Sequence, residues 1–185
     1  FRRVLFRSVR KEFAVPYSKL HLAWRLPCSA HPDTPALSAL SSILGGGRSA
    51  RFYEKFHDRL GLVYSIEVHS NQSETDEGAF TISMDVDRAQ RDKVRDMVLQ
   101  ELRNLAEEDF TEDLKRVCKQ TRVSRLRRRS SASGVASEMG ADWFGSRNLN
   151  LSSEWQEAIE RVTTEDLHRV CSTWLSSPNV TEVSL

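Results

Sequence analysis

The sequence has 185 residues, enough for one domain that buries roughly two-thirds of the surface its unfolded chain exposes. It is 39% hydrophobic and 29% charged, with a formal net charge of +1. That balance excludes collagen-like, disordered and disulfide-scaffold classes, and it gives no global pull toward nucleic acid or membrane. Cys28, Cys118 and Cys171 are widely separated and no CxxC occurs, so neither a zinc knuckle nor a disulfide framework is indicated. No apolar run approaches the roughly 20 residues of a spanning helix.

The first residues, Phe1 to Ser8, are basic and apolar but too short for a signal peptide. The expected division is therefore a foreign or disordered leader at 1–8 and a single domain at 9–185. Leu20, Leu22, Trp24 and Leu26 alternate with His21, Ala23 and Arg25, the period of a half-buried strand. Thr34 offers an N-cap with Pro35 at the first helical position. Ala36, Leu37, Leu40, Ile43 and Leu44 share a face, and Gly45 is expected to stop that helix. A second helix starts near Ser49, with Phe52, Phe56 and Leu60 on one side, and Gly61 breaks it.

Leu62 to Val68 reads as a strand with Tyr64, Ile66 and Val68 on one face. A polar loop, Ser70 to Glu77, leads to Phe80, Ile82, Met84 and Val86, and the two strands are expected to pair antiparallel. Asp87 and Gln90 suggest a capping box before the stripe Val94, Met97, Val98, Leu102 and Leu105. Thr111 opens a helix carrying Leu114, Val117, Cys118 and Leu126, interrupted at Ser130 to Gly134. Val135, Met139, Trp143 and Phe144 supply a short apolar helix ended by Gly145, and Trp155, Ala158 and Ile159 mark another. Thr163 and Asp166 make the clearest helix start, ahead of Leu167, Val170, Cys171, Trp174 and Leu175. Pro178 ends that helix and Val180 to Leu185 reads as a closing strand. This order predicts an α+β fold: an antiparallel-rich sheet covered by helices in a two-layer sandwich.

Sites of known chemistry are mostly missing. Gly45-Gly46-Gly47-Arg48-Ser49 lacks the lysine and the preceding strand of a phosphate loop. There is no HExxH, HxxEH or Gly-x-Ser-x-Gly. Glu54/His57 and Glu165/His168 have the i, i+3 spacing of di-metal bundles, but the further glutamates and the four-helix setting are absent. Lys115 to Arg129 holds eight bases and no acid, so Arg125, Arg127, Arg128 and Arg129 are candidate polyanion-binding residues. Acids just upstream and bases toward the end also suit the helix dipole, and no aromatics interleave, so nucleic acid is not the expected partner.

From Ile43 to Ile66 the chain reads ILGGGRSARFYEKFHDRLGLVYSI. It resembles the LGGG-S-S-R-L-x-x-x-L-R-E-x-x-G-L-A-Y-S-V segment of the M16 metallopeptidases, the pitrilysin, insulysin and mitochondrial processing peptidase family. Glu77-Gly78-Ala79-Phe80, Thr111-Glu112-Asp113-Leu114 and Val162 to Leu167 follow in that family's order. The resemblance implies a sandwich of the LuxS/M16 metallopeptidase type, of the non-catalytic C-terminal kind, in a chamber that encloses unfolded peptides. Its partners would be homologous domains of the same parent chain or of a partner subunit. Zinc, held in the family by HxxEH and a distal glutamate, would be a cofactor of the parent and not of this chain. The family's substrate-contacting arginine and tyrosine fall at His57 and Tyr64, so the tyrosine is kept and the arginine is not. A histidine lacks the guanidinium fork. The chain alone is expected to be inactive, and the compartment is left open between bacterial periplasm and cytoplasm. Two alternatives remain: a structural M16-like subunit, as in respiratory-complex core proteins, and a polyanion-binding module at Lys115 to Arg129.

Overall fold

A computed structural model describes residues 7–11, 16–72, 77–175 and 180–184. Five strands form one sheet in the order β1-β5-β2-β4-β3, with β1 at Arg7–Arg10, β2 at Ser18–Leu26, β3 at Val63–Asn71, β4 at Gly78–Val86 and β5 at Thr181–Ser184. The β1–β5 pair is parallel and the other three are antiparallel. Arg7 and Ser8, placed in the leader by the sequence, thus lie in β1. Phe1 to Phe6, Pro178 with the helix end expected there, and Leu185 lie outside the described residues.

The sheet follows from parity. Leu20, Leu22, Trp24 and Leu26 of β2 and Phe80, Ile82, Met84 and Val86 of β4 are all buried. They meet in register, Leu22 on Ile82 and Trp24 on Phe80, the latter edge-on at 6.4 Å. The alternate residues face away from the helices, where His21, Arg25, Glu67 and His69 are exposed. One face therefore carries the core and the other is open and polar, as an antiparallel sheet permits.

Helices α1 (Thr34–Gly45), α2 (Arg91–Asn104), α3 (Thr111–Arg128), α5 (Leu151–Glu160) and α6 (Thr164–Val170) build the layer over the apolar face, and α4 (Ala132–Ser146) packs outside it against α5. The α1 helix packs on β3 and α6. Its close approach depends on Gly45, where a Cβ would lie 2.6 Å from both the Cβ and the backbone N of Val68. Gly45 is itself helical, and the left-handed residue that turns the chain is Gly47, with φ of 104°. The position before α1 belongs to Asp33, and Thr34 is its first residue, its hydroxyl donating to the Cys28 carbonyl. Asp33 has long-range work instead. It accepts from Trp174 Nε1 at 2.9 Å and from Arg169, fastening the start of α1 to the last helix. Burial pushes the Asp33 carboxyl up, but those hydrogen bonds and the Arg169 charge outweigh it and hold the group below the usual aspartate range.

Other helix boundaries sharpen. Asp87 makes an Asx turn onto Ala89 N at 2.7 Å, and α2 begins at Arg91 without the expected capping box. Thr163 and Asp166 do form theirs. Arg147, with φ of 58°, closes α4, where Gly145 was expected to. Leu126 is not in the buried stripe of α3: it is 64% exposed, because the second half of α3 runs past the edge of the core.

Candidate functional site

The segment between α1 and β3 begins with a fixed anchor. Arg51 Nε donates to Asp113 Oδ2 at 2.6 Å, and its guanidinium lies 4.7 Å from the centre of the Phe110 ring. Asp113 is buried and also accepts from Arg116. This joins the start of the segment to the first turn of α3. Phe52 and Phe56 then plug the core, their rings edge-on at 5.5 Å.

From Tyr53 to Arg59 the helix is wound as a π-helix, a form often found where function constrains a helix. Leu60 N donates to Lys55 O five residues back, and Leu62 N reaches Phe56 O at 2.9 Å. The wider winding brings Glu54 to Arg59, which hydrogen bond five residues apart, and not to His57 three residues on. The Glu54/His57 pair thus fails as a metal chelate for a geometric reason. His57 stacks on Tyr53, centroids 4.4 Å apart and planes 20° from parallel, and its Nδ1 lies 2.7 Å from Asp58 Oδ1. The second pair fails too, since His168 Nε2 bonds the Glu108 carbonyl at 2.8 Å. Among the described residues no group of three or more His, Cys, Asp or Glu side chains could hold a metal ion. The side chains present do not fit the zinc site that the resemblance assigns to its metallopeptidases.

Gly61, with φ of 59°, turns the chain into β3. Val63 pairs with Val86 and Ser65 with the adjacent Asp85, so Tyr64 is the extra residue of a β-bulge. A bulge kinks the strand and re-aims the inserted side chain. Tyr64 does not share the buried face of Ile66 and Val68: it is 64% exposed while they are 5%. It lies instead 6.2 Å from the ring of Tyr17, at a tilt of 53°. Beneath the pair, Asp85 accepts from Lys19 at 3.1 Å and from Ser65 Oγ at 2.9 Å. That carboxylate holds the Lys19 ammonium above the usual lysine range. Tyr17 was not singled out from sequence, because it precedes the alternating run and only the bulge places Tyr64 beside it.

The bulge sits at the head of β3, an edge strand paired only with β4 among the described residues. Tyr64 and His57 make no hydrogen bond or ring contact with each other among the described residues; each has its own aromatic neighbour.

The arginine run divides into paired and exposed members. Arg125 is only 18% exposed at its side chain. It donates to Glu138 on α4 and to Ser153 and Gln156 on α5. Arg129 bonds the same Glu138 oxygen at 2.7 Å. Arg127 and Arg128 are exposed and form no ion pair among the described residues.

The site is thus an aromatic pair at the head of an edge strand in an α+β sandwich, with no group of three or more His, Cys, Asp or Glu able to hold a metal ion among the described residues. The chain belongs to the M16 peptidase family: residues 5–121 match the model of the peptidase M16 inactive domain. It is similar to an uncharacterized zinc protease of Rickettsia felis, 23% identical over 138 residues, which are 75% of this chain and 33% of that protein. Its fold matches a protease from Helicobacter pylori with a TM-score of 0.85 at 23% identity, covering 97% of this chain and 43% of the other. A peptidase M16 inactive domain from Pseudomonas fluorescens matches with a TM-score of 0.79 at 20% identity, covering 97% and 42%. The chain thus spans a third of the Rickettsia relative and less than half of either of those solved chains. No described helix is long and apolar enough to cross a membrane.

Proposed function

We propose that this chain is the non-catalytic domain of a zinc-dependent M16-like endopeptidase and forms part of the wall of its peptide-enclosing chamber. Metal and water activation belong to another part of the parent. This domain contributes a polar sheet face and the edge strand β3, whose outer side has no strand partner among the described residues. The observation that carries the reading is the bulge that extrudes Tyr64 at the head of edge strand β3.

An extended peptide adds to such an edge through backbone hydrogen bonds, which are indifferent to sequence, while side chains beside the edge set preference. Tyr64 offers a phenolic hydroxyl and an aromatic face at the point where the added strand would begin. His57, half-exposed on the π-helix, is the weaker contact, able to donate one hydrogen bond to a carbonyl. Unfolded peptides suit this mode because they can become strands without losing existing structure.

The test is binding of a fluorescein-labelled unfolded peptide to the purified chain, followed by anisotropy. Tyr64→Ala is expected to weaken binding by about tenfold, the cost of one good aromatic contact. Equal affinity of the variant and the unmodified chain would reject Tyr64 as a contact.

A further inference from the structure

The second half of α3, with α4 and the start of α5, is assembled inside out. The one buried residue of α4 is Asp142, which accepts from Ser152 N at 3.1 Å and Ser152 Oγ at 2.6 Å and so caps α5. Glu138 ties the same helix to Arg125 and Arg129 of α3. Two acids therefore hold α4 in place, and its apolar side chains are left outside. Met139 and Trp143 are 44% and 45% exposed, and Phe144 is 82% exposed. A helix of this composition normally turns its apolar stripe to a core.

Between these helices runs a groove of about 630 Å³. Leu126, Met139 and Leu149 line it with apolar surface, and Arg122, Arg125 and Arg129 with positive charge. No acid lines it among the described residues. Arg125 and Arg129 share the single Glu138 carboxylate, and Arg122 stands 3.6 Å from Glu160. The groove thus sets exposed apolar side chains beside arginines and the polar Asn150, Ser153 and Gln156, the last two hydrogen bonded to Arg125.

We propose that this groove docks an amphipathic helix of a polypeptide partner, apolar on the face it inserts and acidic on its flanks. Charge complementarity selects the acid: three lining arginines face two carboxylates, Glu138 and Glu160, and a basic helix would meet that positive excess with like charge. Shape selects the helix, whose apolar side chains at i, i+3, i+4 and i+7 fit a furrow between packed helices. A flat lipid surface would leave Leu126 and Met139 unfilled within the furrow. The surface is separate from the Tyr64 edge, and the proposal does not depend on how that edge is used.

The probe is a synthetic helical peptide with leucines on one face and glutamates on the other, titrated onto the full 185-residue chain. Saturable binding is expected, absent for a sequence-scrambled control and for the same peptide with lysine in place of glutamate. Leu126→Gln together with Met139→Gln should weaken binding about tenfold or more, and Arg122→Gln several-fold. Both sites are exposed, so the melting temperature of the variants should stay near that of the unmodified chain. Absence of binding, or binding that heparin reproduces and the apolar variants leave unchanged, would overturn the proposal. So would capture on phosphatidylserine vesicles in place of the peptide, or dimerisation of the chain that the apolar variants abolish.

Discussion

Tyr64 and Tyr17 stand with ring centroids 6.2 Å apart although β3 and β2 are separated by β4. The pair exists because the bulge at Val63/Ser65 adds one residue to β3 opposite β4 and sends that residue out of the sheet's alternation. Restoring the alternation would return Tyr64 to the buried face and separate the rings. Because Tyr64 is mostly exposed, Tyr64→Ala should change folding stability by no more than about 0.5 kcal/mol. Urea denaturation checks this. A loss of several kcal/mol would make the tyrosine a structural residue and remove the reason to assign it to peptide contact.

Gly45 is needed for the opposite reason. A Cβ there would press on Val68 in the edge strand, and a backbone neighbour cannot step aside as a long side chain can. Gly45→Ala should therefore cost about 1–3 kcal/mol, the usual range for overpacking. An unchanged denaturation midpoint would contradict the close α1–β3 approach. Deleting bulk at Phe56, which is fully buried beside Phe52, should cost about 3–5 kcal/mol as Phe56→Ala.

Acid should loosen the α3–α4–α5 corner. The hydrogen bond from Arg125 lowers the Glu138 carboxyl below the usual glutamate range, assisted by Arg129 and opposed by burial. A group with a depressed folded-state pKa stabilises fully above its unfolded value and loses that contribution as pH falls through the folded value. The stabilisation should thus be complete near neutrality and decline once pH drops below the ordinary glutamate pKa of about 4.5. Glu138→Gln should abolish this share of the pH dependence, read from denaturation midpoints across the acid range. An identical pH profile in variant and unmodified chain would contradict the assignment.

The cysteines should differ in reactivity. Burial pushes the Cys171 thiol up to about 12 and seals it from solvent, so it has almost no thiolate at neutral pH. Cys118 is also raised, by burial first and then by Glu160, and its thiol donates to the Ile159 carbonyl. Iodoacetamide followed by mass spectrometry should label the half-buried Cys28 first and Cys171 only on unfolding. Rapid native labelling of Cys171 would contradict its place in the core.

Much of this was legible in the residues. Strict alternation gave β2 and β4, because both faces of those strands keep parity from end to end. The Thr163–Asp166 box was readable because its bonds are local. The family likeness around the three glycines anticipated the fold and the M16 relationship that the matched residues establish. What escaped were features decided by distant partners. A single inserted residue moved Tyr64 off the face that parity assigned to it. The π-winding separated Glu54 from His57, which a regular α-helix would have aligned. The α4 helix reads as apolar and so as buried, yet its acids, recruited by Arg125, Arg129 and Ser152, turn it the other way.

Whether this domain holds peptide without cutting it is tested most directly by a peptidase assay with metal supplied. The purified chain is incubated with zinc and an unfolded peptide, and products are read by mass spectrometry while equilibrium dialysis measures bound metal. An intact peptide and no stoichiometric zinc are expected, as the sequence lacks HxxEH. Zinc-dependent cleavage by the chain alone would contradict this expectation.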